Sequence, residues 1–341
     1  MSEPTSSPHR LQAVLAAVAV ALIAGGASLV ACTPGGTTTT TTTTKPRSTT
    51  TTKAATTTTK ATTTTTKATA TTTAPASSVD PTHLPVGDGK YTTTPKAGYV
   101  YTCQTTFNGG GASSKGPWFN SDGTWDSTKK GVVDGSVTWT SILETSVSGG
   151  YRYFSGNDLP SHVTGKFPIA QTDDVYPYDR NPNAIASQTL SVKVPANPTI
   201  ASEPTCIRGE LGIMLTGSAL FSAFDAGGRD AVAWEAQDIC SGHPQAQGAY
   251  HYHSLSACID DPGTGQSNLL GYAYDGFGIY GMRGADGREL TDADLDECHG
   301  TTSPVMWDGK LVTMYHYVAT REFPYVMGCF KGTPIQNQFS G

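Results

Sequence analysis

Short apolar runs broken by Gly and Pro dominate the chain between residues 85 and 335. Alternating apolar and polar positions rich in β-branched and aromatic residues are typical of strands, because strand side chains point to alternate faces. Helical periodicity is limited to Asp230–Gln237 and to a turn after the capping-box sequence Thr291-x-x-Asp294. The pattern predicts a mainly β fold, α+β with little helix. The predicted strands are Gly98–Phe107, Ser136–Ser146, Leu190–Val194, Leu211–Thr216, Gly248–Leu255, Leu270–Tyr274 and Lys310–Val318.

The N-terminus has a different pattern. An almost unbroken apolar run extends from Leu11 to Ala31 and ends in Leu29-Val30-Ala31-Cys32. A run of this length could be a retained transmembrane helix, but the small residues 25–28 before the cysteine favour a cleaved signal peptide. The ending resembles the bacterial lipobox. This resemblance implies that residues 1–31 are a lipoprotein signal peptide and that Cys32 is acylated, for example with palmitate. Either interpretation makes the rest of the chain extracytoplasmic, and the second makes the membrane a partner through the lipid anchor.

Threonine dominates the segment that follows the cysteine. Residues 33–79 lack aromatic residues and nearly all large aliphatic ones, so burial cannot offset an ordering cost of ~1–2 kcal/mol per residue. Residues 32–84 are therefore predicted to be a disordered tether, and residues 85–341 a β-rich globular domain. The chain has a formal net charge of −6 at pH 7, and residues 33–79 contribute only basic groups. The acidic remainder argues against nucleic acid as a partner.

An internal pseudo-repeat organises the cysteines. Asp238-x-Cys240-x-Gly242, Tyr250-His251-Tyr252 and Cys258 are followed by Asp296-x-Cys298-x-Gly300, Tyr315-His316-Tyr317 and Cys329. With Cys32 acylated, six cysteines remain, and an even number in an exported domain favours three disulfide bonds. If the two copies fold alike, each closes its own loop. This predicts the pairs Cys240–Cys258, Cys298–Cys329 and Cys103–Cys206.

The histidines are the strongest candidates for chemistry. A strand through Tyr250-His251-Tyr252-His253 would place both imidazoles on one face, a few ångströms apart. His316 and His243 are the candidates for a third ligand. Imidazole binds Zn and Cu, and three protein ligands with an open position are typical of catalytic zinc. Such a site should lose its metal as pH falls through ~6.5, where free imidazoles are protonated.

The ordered motifs resemble the bacterial YHYH-domain family over about residues 155–332. The resemblance includes Gly242-His243-Pro244, Tyr250-His251-Tyr252-His253, Asp275-Gly276-Phe277-Gly278, Leu295-Asp296-Glu297-Cys298 and Tyr315-His316-Tyr317. The family pattern usually ends its second copy in a further histidine, where this chain has Val318, and His299 is a possible substitute. The resemblance implies little about function.

Three functions remain open. The first is a cell-surface lipoprotein that binds Zn or Cu through His251, His253 and His316 or His243. The second is a metal-dependent hydrolase at the same site, with Asp238, Asp275 or Asp296 as the base; Asp275 is alternatively a partner that orients a histidine. The third is a non-catalytic envelope or adhesion module whose histidines are structural. The sequence does not name a cell-wall or small-molecule ligand.

Overall fold

The computed structural model describes residues 79–259, 261 and 268–335. The predicted signal peptide, Cys32 and the tether as far as residue 78 lie outside the described residues, so these assignments stay predictions. Within the described part of the chain, no helix is long and apolar enough to cross a bilayer. Leu84 is buried and pairs with Trp125, so the ordered body already includes the last residues assigned to the tether.

An eight-stranded mixed sheet forms the centre of the fold, which confirms the mainly β prediction. Its strands are β8 (Glu210–Met214), β9 (Ala219–Phe221), β10 (Gly242–Pro244), β11 (Tyr250–Tyr252), β12 (Leu269–Ala273), β13 (Gly278–Tyr280), β14 (Gly300–Trp307) and β15 (Lys310–Val318). Their order in the sheet is β10-β11-β9-β8-β12-β13-β15-β14.

The sheet consists of two copies of one four-stranded unit. In the first, β8 pairs antiparallel with β9, β9 parallel with β11, and β11 antiparallel with β10. The second repeats these pairings with β12, β13, β15 and β14. The copies meet where β8 and β12 run antiparallel, which gives the sheet an approximate two-fold axis. Strands β11 and β15 are therefore separated by five strand spacings, or ~24 Å.

Each copy contains the same hydrogen-bonded turn. The carboxylate of Asp238 accepts the backbone N–H of Cys240 at 2.9 Å and the hydroxyl of Tyr250 at 3.0 Å. In the second copy, Asp296 accepts the N–H of Cys298 and the hydroxyl of Tyr315, both at 3.0 Å. An aspartate, rather than a hydrophobic contact alone, thus fixes the first tyrosine of each Tyr-His-Tyr segment.

A smaller sheet and two short ladders complete the described body. Their strands are β1 (Leu84–Pro85), β2 (Tyr91–Thr92), β3 (Val100–Tyr101), β4 (Thr124–Trp125), β5 (Leu143–Ser148), β6 (Tyr151–Gly156) and β7 (Leu190–Pro195). Strands β5, β6 and β7 form an antiparallel three-stranded sheet, while β1 pairs with β4 and β2 with β3. Arg152 of β6 is buried, donates to Asp308 at 2.8 Å and lies over the ring of Tyr272.

Helix is as scarce as the sequence predicts. The helix α1 (Ala231–Trp234) is shorter than the predicted Asp230–Gln237, and its N-cap Asp230 accepts the N–H of Ala233 at 3.1 Å. The capping-box sequence begins only a 3₁₀ turn, Asp292–Asp294. Asp294 accepts the N–H of Thr291 at 2.9 Å.

Three disulfide bonds join Cys103 to Cys206, Cys240 to Cys258 and Cys298 to Cys329. These are the pairs that the repeat predicts. The first bond ties the N-terminal segment to the chain entering β8, and the other two close equivalent loops in the two copies.

Candidate metal centre

Three histidines meet at the β10 edge of the sheet. His243 on β10 is in register with His251 on β11, and His253 follows two residues later on the same face, as a two-residue period requires. The Nε2 atom of His253 lies 3.1 Å from the Nε2 atoms of both His251 and His243. Two ligands of a tetrahedral ion with bonds of ~2.0–2.1 Å are ~3.3 Å apart, so the spacing suits one shared ion.

The hydrogen bonds of the opposite ring nitrogens determine what faces the centre. The Nδ1 atom of His251 donates to the Ala249 carbonyl at 3.2 Å, and that of His253 donates to the Ser222 carbonyl at 2.5 Å. A carbonyl can only accept, so the proton of each neutral ring is on Nδ1. Both Nε2 atoms therefore present lone pairs to each other at 3.1 Å, an arrangement that a bound cation would stabilise.

A carboxylate completes the group. Glu235, immediately after α1, places Oε2 3.5 Å from the Nε2 atoms of both His243 and His253. This oxygen is buried, and no described residue forms a hydrogen bond with it. Three imidazole nitrogens thus lie together, and the carboxylate oxygen lies beside two of them, those of His243 and His253. These are ligand types that Zn and Cu accept.

Burial controls the protonation of the cluster. It lowers the pKa of His253 to about 4 and holds the pKa values of His243 and His251 well below their ordinary value. Burial, with the negative charges of Asp225 and Asp179, raises the pKa of Glu235 well above its ordinary value. The imidazoles are therefore neutral near pH 7, as metal ligands must be. Their competition with protons begins below the pH of ~6.5 expected for free imidazole.

A cavity of about 440 Å³ opens onto this cluster. His251, His253 and Glu235 belong to its wall, as do Phe221 and Arg208. The ring of Phe221 stacks on His251 with centroids 4.0 Å apart. The site is thus shielded on the sheet side and accessible from the cavity side.

The opposite face of β11 holds the strand in place. Tyr252 donates its hydroxyl to Thr216 at 3.0 Å and contacts the Nε2 atom of His162 at 2.6 Å. Tyr250 is held by Asp238. The histidine-bearing strand is therefore fixed from its far side by groups that take no part in the cluster.

The structure does not bring His316 to the cluster. His316 lies on β15, against the ring of Tyr280 at 5.0 Å between centroids. Its register partner on β14 is Thr301, at the position that His243 occupies in the first copy. Two residues after His316, β15 has Val318 where the first copy has His253. The second copy therefore retains one of the three histidines.

The other residues singled out by sequence have local roles. The carboxylates of Asp238, Asp275 and Asp296 each accept a hydrogen bond from the hydroxyl of a tyrosine in a Tyr-His-Tyr segment. The bond from Tyr317 to Asp275 is 2.5 Å long. None lines the cavity beside the cluster, and Asp275 orients a tyrosine rather than a histidine. The assignment of one of them as the base of a hydrolase stays a prediction. The Nε2 atom of His299 forms a hydrogen bond with the hydroxyl of Thr320 at 2.9 Å. Sequence reasoning missed Glu235, whose only signal was its place at the end of the candidate helix.

A second group of potential ligands, His162 with Cys240 and Cys258, also lies close together. Because the two cysteines are joined as a disulfide, they supply no thiolate for a metal ion. Among the described residues, the group His243, His251 and His253 is thus the one with three available donors.

The fold and this group define a disulfide-stabilised β protein with a buried three-histidine site that could hold a metal ion. Residues 191–293 match the model of the family described as YHYH protein, so the chain carries a YHYH domain. The matched region includes Arg208, Glu235 and all three histidines, and it ends before His299 and His316. No curated protein and no solved structure matches the chain.

Proposed function

We propose that this protein is a cell-surface lipoprotein whose YHYH domain binds a transition metal, Zn or Cu, through His243, His251 and His253, with Glu235 as the fourth ligand. One observation carries the proposal. The Nε2 lone pairs of His251 and His253 face each other at 3.1 Å, while both Nδ1 protons are engaged by backbone carbonyls. A buried arrangement of this kind is costly unless a cation sits between the nitrogens.

The donor set favours Zn or Cu over other metals. Imidazole suits both ions, and hard cations such as Ca or Mg prefer sites made only of oxygen. The six cysteines of the described body are paired in disulfide bonds, so sulfur ligation at this site is not part of the proposal. Three imidazoles and a carboxylate suit a four-coordinate zinc ion.

Elemental analysis of the purified full chain tests the metal proposal. We expect one Zn or Cu per chain, and we expect the double substitution His251→Gln and His253→Gln to remove it while near-UV circular dichroism is retained. The tyrosines and disulfide bonds that hold the strand are untouched by these changes. A folded parent without metal after equilibration with both ions would favour a non-catalytic envelope or adhesion module with structural histidines.

The anchoring part of the proposal rests on the N-terminal sequence. Acylation of Cys32 would attach the chain to the membrane surface and leave the YHYH domain outside it. The substitution Cys32→Ala should shift the protein from the detergent phase to the aqueous phase or leave it uncleaved. Unchanged partitioning, with the parent chain still beginning at Met1, would instead indicate a retained transmembrane segment.

The cavity favours a second candidate, a metal-dependent hydrolase. In this candidate Glu235 does not coordinate the ion, so a water molecule could take the fourth position beside the three histidines. A substrate in this space would reach the side of the cluster formed by His251, His253 and Glu235, and the buried carboxyl of Glu235, whose pKa is raised, suits proton transfer. Hydrolysis of p-nitrophenyl acetate and bis(p-nitrophenyl) phosphate by the zinc-loaded chain tests this candidate. Rates no higher than those of the Glu235→Gln variant would reject it and leave the metal-binding function.

A further inference from the structure

The cavity beside the histidine cluster has a wall with a definite chemical character. Two of its acidic groups are already engaged. Asp225 is buried and forms an ion pair with Arg229 at 2.6 Å, and Glu235 lies 3.5 Å from His243 and His253 of the histidine cluster. Neither carboxylate is therefore available to a ligand that enters the cavity.

Arg208 supplies a positive charge to the same wall. Its side chain is exposed and lines the cavity, and among the described residues no carboxylate forms an ion pair with it. Arg208 follows Ile207, whose backbone pairs with Thr102, next to the disulfide bond between Cys103 and Cys206. The guanidinium is thus carried by a covalently braced segment rather than by a free loop.

Two side-chain amides that could bind a ligand line the cavity together with this charge. Within the described residues, the side-chain amides of Asn183 and Gln245 form no hydrogen bond, and both line the cavity. Phe107 and Phe221 add apolar rings to the wall. A few convergent polar groups on a partly apolar wall are typical of a small-molecule site, and the volume falls within the usual range for one.

We infer that this cavity binds a small organic anion whose carboxylate or phosphoryl group pairs with Arg208, beside the metal ion. The inference rests on the proposed metal-binding function, because the dication and Arg208 together exceed the negative charge of Glu235. An anion restores the charge balance, and Arg can contact carboxylate or phosphate oxygens through two parallel hydrogen bonds. Asn183 and Gln245 would bind hydroxyl or carbonyl groups of the same molecule.

Cobalt substitution provides the test, since Co(II) in place of the native ion gives a visible spectrum that responds to nearby anions. The full chain is loaded with Co(II) and titrated separately with acetate and with inorganic phosphate. We expect Arg208→Gln to weaken binding of the preferred anion about 10-fold, the lower range for a charged hydrogen bond at an exposed position. The two titrations distinguish a carboxylate ligand from a phosphate ligand.

The control is Arg180→Gln, which removes another exposed arginine that stacks on Tyr176 and does not line the cavity. Its anion affinity should equal that of the parent. Equal affinity in Arg208→Gln, or no spectral response to either anion, would overturn the anion inference while leaving metal binding intact. Failure of the parent to bind Co(II), Zn or Cu would overturn both proposals.

Discussion

Replacing His253 with Gln tests how much one imidazole of the cluster contributes to zinc affinity. The Nε2 atom of His253 is the central one, 3.1 Å from each of the other two. Zinc sites with four protein ligands bind with ~10–16 kcal/mol, or ~3 kcal/mol per ligand if shared equally. At ~1.4 kcal/mol per factor of ten, loss of this imidazole should weaken zinc binding about 100-fold.

His316→Gln is the matched control. His316 occupies the position of His251 in the second copy, between two tyrosines on a strand, and is likewise buried. Because β15 is ~24 Å from β11 across the sheet, this substitution should leave zinc affinity within about two-fold of the parent.

A competition titration against a chromogenic zinc chelator measures both affinities, with near-UV circular dichroism as the check on folding. The reasoning would be refuted if folded His253→Gln bound zinc as tightly as the parent. An equal loss in the two variants would show that the copies share one site, contrary to the strand order.

Three further outcomes are expected. Thr301→His with Val318→His should raise the zinc content of the chain, because both positions flank His316 as His243 and His253 flank His251; unchanged stoichiometry would contradict this equivalence. Burial raises the pKa of Asp158 to about 8, so the folded state keeps a proton that the unfolded chain releases above ~4, and stability is lost as pH rises from ~4 towards 8. Asp158→Asn should remove a slope of up to ~1.4 kcal/mol per pH unit from urea unfolding curves, and an unaltered slope would count against it. Replacing Cys103 and Cys206 with Ala should lower the unfolding temperature, because the disulfide closes a long loop and contributes up to about 5 kcal/mol to the free energy of unfolding. The zinc content should be unchanged. Loss of zinc from the folded variant would show that the histidine cluster depends on this disulfide.

The sequence predictions that the structure confirms came from local patterns. The two-residue period placed His251 and His253 on one face, and the repeat predicted the disulfide pairs. The same repeat misled the choice of His316, because sequence similarity between copies does not reveal whether their strands meet or lie on opposite halves of a sheet. The two-fold arrangement decides this, and it depends on the pairing of β8 with β12.

Other errors have equally specific causes. Strand β14 was missed because it contains Pro304, which is tolerated there since β14 is an edge strand. Strand β6 was missed because Arg152 interrupts its apolar face, although the side chain is buried against Tyr272. Glu235 could not be found because its partnership with the histidines depends on the fold between residues 235 and 253, which no spacing rule encodes.

The wall of the cavity combines residues from inside and from outside the region that matches the YHYH family. The histidines, Glu235 and Arg208 lie within residues 191–293, which match the YHYH family, whereas Gln104, Phe107 and Asn183 lie outside that region. A protein that shared only the matched region would keep the histidine donors and lose part of the wall. The histidine cluster and the shape of the space around it are thus separable by recombination, so exchanging the segment before residue 191 should change the wall of the cavity without changing the histidine donors.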